Sequence, residues 1–217
     1  MLRRLFEKKA ESTPATPAQG RKSERYSRHS GGWASLHKRL LAESGLHIID
    51  IGQTSPTNIN YLTDLGHSMF LADPVTEANF GNFKTGTDEE GNPIWDVEGF
   101  LSQCLEFSGR TFDVVLLWTA LDYLPEPFVL PVVERLYEVT NPGGQVLAFF
   151  HTRMQGTETE YSRFHVTDGD DVLMQPMHSF PIQRVFTNRS IENLFAQWSG
   201  FKQFLAKDSV SEVIITR

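Results

Sequence analysis

The chain has 217 residues, long enough for one domain with a sizeable core, and its apolar content of 40 % is ordinary for a soluble globular protein. No stretch approaches the ~18 consecutive apolar residues of a membrane span, and the single cysteine, Cys104, excludes an internal disulfide and points to a reducing, cytoplasmic compartment. The net charge of −7 is unevenly spread: residues 1–40 hold ten basic and three acidic side chains, a balance of +7, so the remainder carries −14. An acidic body disfavours general nucleic-acid binding, whereas the basic arm suits contact with an anionic partner or surface.

In chain order, residues 1–30 read as a basic, disordered N-terminal arm. Leu2, Leu5 and Phe6 can line one side of a short helix, and a stretch rich in Ser, Thr, Pro, Ala and Gln follows it. The folded domain is expected over 31–217. Trp33, Leu36, Leu40 and Leu41 have helical spacing, with Gly45 as the stop. Leu46 to Ile51 is a buried strand running into Gly52. A helix over Asn58–Leu65 is expected with Thr57 as its cap, then a strand over Ser68–Ala72 ended by Asp73–Pro74.

Residues 81–93 read as an acidic surface insertion, and Val97–Phe107 as a helix in which Cys104 is a small core residue. Thr111–Trp118 is the clearest buried strand, followed by a helix over Pro127–Thr140, the break Asn141–Pro142–Gly143–Gly144, and a strand over Gln145–His151. Residues 152–187 read as polar and irregular. A helix over Ile191–Trp198 is expected to be capped by Ser190, and the chain ends in two strands, Phe201–Ala206 and Val210–Thr216. The alternation of strand and helix gives a mostly parallel sheet covered on both faces.

Three segments carry a resemblance over roughly residues 33–217. They are Ile48–Ile49–Asp50–Ile51–Gly52, the run Phe112–Trp118 followed by Leu121–Leu124, and Asn141–Pro142–Gly143–Gly144–Gln145–Val146–Leu147. In this order the chain resembles the class I S-adenosylmethionine (SAM)-dependent methyltransferases, with a degenerate glycine loop. The resemblance implies a three-layer Rossmann-like α/β fold, a mostly parallel seven-stranded sheet and an antiparallel C-terminal hairpin. It also implies SAM as cofactor. Asp50, Gly52, Gln53, Thr54, Ser55, Asp73 and Trp118 are then expected to bind it.

Open α/β sheets bind ligands beyond the carboxyl ends of their strands. Asp73 follows Asp50 by 23 residues, near the spacing at which an acid meets ribose hydroxyls. The departure lies in the loop: Thr54 and Pro56 stand where the family has its second and third glycines, adding bulk and removing an N–H donor.

His151, at a strand end, is the candidate base, because imidazole titrates near neutrality. Asp122, Tyr161 and His165 are candidates for a substrate pocket, and each also has a plain structural reading. One cysteine and scattered histidines give no zinc spacing. Asp168, Asp170 and Asp171 lack the rest of a calcium loop and read as a solvated turn. Two functions follow: a SAM-dependent methyltransferase with a small-molecule acceptor, or a catalytically inactive methyltransferase-like interaction protein.

Overall fold

A computed structural model describes residues 24–154, 159–204 and 208–217. The expected arm helix near Leu2–Phe6 and the Pro- and Ser-containing stretch after it lie outside the described residues.

The elements in order are β1 (Tyr26–His29), α1 (Gly31–Ala42), β2 (His47–Ile51), α2 (Pro56–Asp64), β3 (Ser68–Ala72) and α3 (Pro74–Phe80). Next come β4 (Lys84–Thr87), β5 (Pro93–Trp95), α4 (Val97–Cys104), β6 (Phe112–Trp118), α5 (Ala120–Tyr123) and α6 (Glu126–Val139). The remainder are β7 (Thr140–His151), β8 (Thr159–Val166), β9 (Asp171–Phe180), α7 (Asn188–Leu194), β10 (Gly200–Phe204) and β11 (Val210–Thr216).

The central sheet has the order β10-β11-β7-β6-β2-β3. β3, β2, β6 and β7 run parallel, and β11 pairs antiparallel with both β7 and β10. The period of two along each strand sends alternate side chains to opposite faces. Val115 and Leu117 of β6 enter one core cluster with Phe100, Phe128 and Ile191 from α4, α6 and α7. Val114, Leu116 and Trp118 enter the other, with Trp33, Leu36 and Leu62 from α1 and α2. The sheet is thus the middle of three layers.

Several expectations are corrected. The sheet has six strands among the described residues, not seven. Between β3 and β6 the chain forms a separate β4–β5 hairpin, whose β4 is exposed along its length and has no buried face to extend the sheet. α2 begins at Pro56 and is capped by Ser55 rather than Thr57, because proline suits the first helical position, where its missing N–H costs nothing. α7 is capped by Thr187, not Ser190.

The segment 152–187 is not irregular. β8 and β9 form a long hairpin, and β1 joins β9 to make a three-stranded sheet of order β1-β9-β8. The folded body therefore includes Tyr26 to His29, ahead of the expected start at Gly31.

β1 is held by charge as well as by backbone pairing. Arg28 is buried, its guanidinium bonded to Glu212 through Nη1 and to Asp208 through Nε at 2.6 Å. Glu212 also accepts from the Ser30 hydroxyl at 2.9 Å and the Gly32 N–H at 2.6 Å. Gly32 has no room for a side chain, since a Cβ there would lie 2.6 Å from Leu147.

Removing one partner of such a buried pair leaves the other desolvated and unpaired, at a cost of about 3–5 kcal/mol. Arg28→Ala is accordingly expected to lower the unfolding free energy by about 3 kcal/mol in urea titrations. Leu130→Ala, at an exposed site on α6, should stay within about 0.5 kcal/mol of the wild type. A loss below about 1 kcal/mol in Arg28→Ala would show that water reaches Glu212.

Candidate functional site

The strand order reverses at β2, whose neighbours are β3 on one side and β6 on the other. That is the switch point, where an open α/β sheet leaves a crevice beyond its strand ends. Asp50 and Gly52 lie at the end of β2, Asp73 follows β3, Trp118 ends β6 with Asp122 just beyond it in α5, and His151 ends β7. The fold thus brings Asp50, Gly52, Gln53, Asp73, Trp118, Asp122 and His151 to one end of the sheet, as the sequence suggested. The chain has the class I methyltransferase fold.

Asp50 shares its sheet face with Ile48 and is buried. Its Oδ1 accepts from the Trp118 indole N–H at 2.6 Å and its Oδ2 from the Asn58 amide at 2.8 Å. Burial pushes its pKa up to about 6, opposed by those two hydrogen bonds. Trp118 sits at φ 48°, a left-handed conformation that is costly for a bulky residue. Its indole is fixed by Asp50 and by a near-parallel stack on Phe164, with ring centroids 4.9 Å apart.

Asp73 caps α3 through the Thr76 N–H at 3.1 Å. It further accepts from the Thr76 hydroxyl at 2.6 Å, from the Gln53 amide, and from the Tyr161 hydroxyl at 3.2 Å. Tyr161 is buried, and its hydroxyl lies 3.4 Å from where a Cβ on Gly52 would stand. Burial and the neighbouring Asp73 carboxylate hold the phenol well above its ordinary pKa, so it remains a donor.

The glycine-poor loop does not close the crevice itself: Thr54 and Pro56 are exposed. The closure comes from β8. Asn58, which the sequence reading did not single out, is the clasp. Its amide donates to Asp50 and to the Phe164 carbonyl at 3.1 Å, while its oxygen accepts from the Val166 N–H at 2.8 Å.

Ser55 and His165 pair at 2.8 Å, with His165 Nε2 against the Gln175 side chain at 3.0 Å. This resembles a nucleophile, base and orienting group. The Ser55 hydroxyl nevertheless caps α2 through the Asn58 N–H at 3.1 Å and is fully buried, as is His165. Burial lowers the imidazole pKa, keeping it neutral at physiological pH, so both residues lock the hairpin rather than line an open pocket.

At the far end of the crevice, Asp122 Oδ2 accepts from both the backbone N–H and Nδ1 of His151, each at 2.7 Å. That bond leaves Nε2 as the free lone pair of the neutral ring. The Asp122 carbonyl accepts from the Gln183 N–H at 2.7 Å, fixing the acid to the segment after β9. Its Oδ1 is buried with no hydrogen-bond partner among the described residues, and burial raises its pKa to about 6.

In this arrangement the site does not fit SAM. A ligand lying against Gly52 and Asp73 would coincide with the Tyr161 side chain, and both oxygens of Asp50 already have protein donors. The carboxylates suited to a nucleoside and an amino group are present, but the protein's own donors meet them.

No protein-family model and no curated protein sequence matches the chain. Its fold is similar to that of solved methyltransferases. TehB from Haemophilus influenzae is 13 % identical, with 84 % of this chain and 61 % of that chain covered and a TM-score of 0.47. A SAM-dependent methyltransferase from Mesorhizobium loti is also 13 % identical, with 86 % and 98 % covered and a TM-score of 0.49. The 1,6-didemethyltoxoflavin-N1-methyltransferase of Burkholderia thailandensis, solved with 1,6-didemethyltoxoflavin and S-adenosylhomocysteine, is 12 % identical, with 86 % and 77 % covered and a TM-score of 0.43. The chain spans about 61 % of the TehB structure. The fold assignment rests on the chain's own strand order, not on these likenesses.

Asp122 offers a direct test of site electrostatics. Its folded pKa of about 6 exceeds the unfolded value of ~3.9, so the folded state holds a proton between those values that the unfolded state releases. The stabilisation is fully present below pH ~3.9 and is lost as pH rises through about 6, at about 1.4 kcal/mol per unit of displacement. Asp122→Asn keeps an oxygen for His151 and is expected to flatten the stability curve between pH 4 and 6 relative to wild type. Parallel curves in urea titrations across that range would contradict the burial of this charge.

Proposed function

We propose that the chain is a SAM-dependent methyltransferase for a small-molecule acceptor, described here in a closed form. The observation that carries the reading is the placement of Asp50 and Asp73 at the ends of adjacent parallel strands, beside Gly52 at the switch point. With the crevice open, Asp73 would hold the ribose hydroxyls, while Asp50 stays bonded to Trp118 and Asn58 beside them. SAM supplies an activated methyl group, so the protein's task is positioning and, for a protic acceptor, removal of a proton.

His151 is the proposed base. Its Nδ1–H is committed to Asp122, which leaves Nε2 to take a proton, and the partly exposed side chain adjoins Tyr123 at a ring distance of 5.8 Å. Tyr123 in turn meets Tyr161 at 5.1 Å, so the dyad is continuous with the crevice. Among the described residues no helix is long and apolar enough to cross a membrane. A cytoplasmic location is part of the proposal. The basic arm is proposed to meet an anionic partner or surface.

A second reading has its own support. Every acceptor of Asp50 and Asp73 that would meet a cofactor is satisfied internally, as expected of a methyltransferase-like protein that has given up catalysis for interaction. Calorimetric titration with S-adenosylhomocysteine separates the two. Under the enzyme reading, heat is detected at up to millimolar ligand, and Asp73→Ala weakens binding by about 1–3 kcal/mol through lost hydrogen bonds. Absence of heat in wild type and in variants with a cleared crevice would favour the interaction protein.

A further inference from the structure

The crevice is filled by one end of one hairpin, and that hairpin is built in two unequal halves. The register of β8 against β9 shifts between Tyr161 and Ser162, where Tyr161 pairs with His178 but Ser162 pairs with Pro176. Such a bulge interrupts the ladder and bends the strand.

The inner half, Ser162–Val166, is held most firmly over Phe164 to Val166, whose partners on β9, Met174 to Val172, are also paired with β1 in a three-stranded sheet. Asn58 grips it through the Phe164 carbonyl and the Val166 N–H, and His165 is bound to Ser55.

The outer half, Thr159–Tyr161 against His178–Phe180, has no third strand among the described residues. A two-stranded ribbon is marginal unless it packs on something. What it packs on is the crevice and, through His178 and Phe180, the Phe80 ring of α3. The Tyr161 hydroxyl donates to Asp73, its ring meets Tyr123 at 5.1 Å and Phe180 at 5.8 Å, and the Tyr123 hydroxyl donates to the Glu160 carbonyl at 3.5 Å. The hydroxyl of Tyr161 stands where a ligand hydroxyl on Asp73 would stand.

We propose that Tyr161 is a built-in occupant of the crevice and that the outer half of the hairpin, hinged at the bulge, is the gate that a nucleoside ligand must displace. This rests on the SAM reading above. Opening breaks the Tyr161–Asp73 and Tyr123–Glu160 bonds and the Phe80 ring contacts of His178 and Phe180, and keeps the Asn58 and Ser55 ties of the inner half. The ligand then gains the acceptor that Tyr161 releases. Apparent affinity falls by the fraction of time the gate is open, so removing the occupant strengthens binding without adding a contact.

The test uses the full chain with S-adenosylhomocysteine as probe, titrated by calorimetry into wild type, Tyr161→Phe and Tyr161→Ala. Tyr161→Ala is expected to bind at least about tenfold tighter than wild type, with Tyr161→Phe between them. Should Tyr161→Ala fail to fold, Tyr161→Phe carries the comparison, since it removes only the hydroxyl.

Two readouts do not depend on the cofactor reading. In Tyr161→Ala, 4-methylphenol should refill the vacated space and raise the melting temperature, leaving wild type unmoved. Amide hydrogen exchange in unliganded wild type should be faster for the outer-half pair, Tyr161 and His178, than for Val166. Exchange as slow in the outer half as at Val166, or S-adenosylhomocysteine affinity equal in wild type and both variants, would overturn the gate. Rescue by 4-methylphenol with no S-adenosylhomocysteine binding in any variant would leave Tyr161 as the occupant and remove the SAM reading instead.

Discussion

A carboxylate buried at the end of a central parallel strand sets the terms for everything around it. Asp50 is buried, and an isolated charge there is prohibitively costly unless donors surround it. The chain supplies two. Trp118 reaches in from β6 at the expense of a left-handed backbone, and Asn58 reaches in from the first turn of α2. Each donor recruits something further: the indole presents a flat face on which Phe164 stacks, and the remaining amide groups of Asn58 bond the backbone of β8. The three-stranded sheet β1-β9-β8 therefore docks where it does because of how one acid is satisfied.

The docking has a second anchor on the opposite side. Arg28 on β1 reaches Glu212 on β11, so the small sheet is tied to the central sheet by ionic bonds as well as by the aromatic stack. Between these anchors Phe164 to Val166 of β8 are held by the Asn58 and Ser55 side chains as well as by pairing in the three-stranded sheet. Beyond the bulge the ties thin to a few aromatic contacts and side-chain hydrogen bonds. Local stability follows the density of buried contacts and cross-strand pairing, so segments that must move are drawn from such thinly tied regions.

The same geometry explains how a glycine-poor loop persists at a switch point. Glycines are needed where a ligand approaches the backbone closely. Here the approach at Gly52 is made by Tyr161, while Thr54 and Pro56 face solvent, where bulk and a missing N–H cost little. The polar residues of the loop have been taken into the protein's own network. Gln53 holds Asp73, and Ser55 caps α2 and holds His165.

How much of this was legible in the sequence follows from the range of each interaction. The apolar runs Ile48–Ile51 and Val114–Trp118, the Pro-Gly-Gly break and the helical spacing of Val129 to Val139 are local patterns, so they gave the layered fold and placed Asp50, Asp73, Asp122 and His151 at one end of the sheet. The β8–β9 hairpin had a local signal as well: Asp168–Gly169 between Phe164 and Val166 on one side and Val172 and Met174 on the other is a turn between alternating strands. Pro176 obscured it, since a proline argues against a strand interior, yet it lies past the residues that β1 pairs with, where the lost N–H is tolerated.

The occupancy of the crevice had no local signal at all. Whether Tyr161 faces solvent, substrate or Asp73 depends on Asn58 and Arg28 docking a sheet from residues more than a hundred positions away. The sequence by itself determined which groups stand at the strand ends, because period and turn chemistry act over a few residues. Only the tertiary structure decided that those groups are already paired with one another, because satisfying a buried charge depends on which distant donors the fold brings within hydrogen-bond reach.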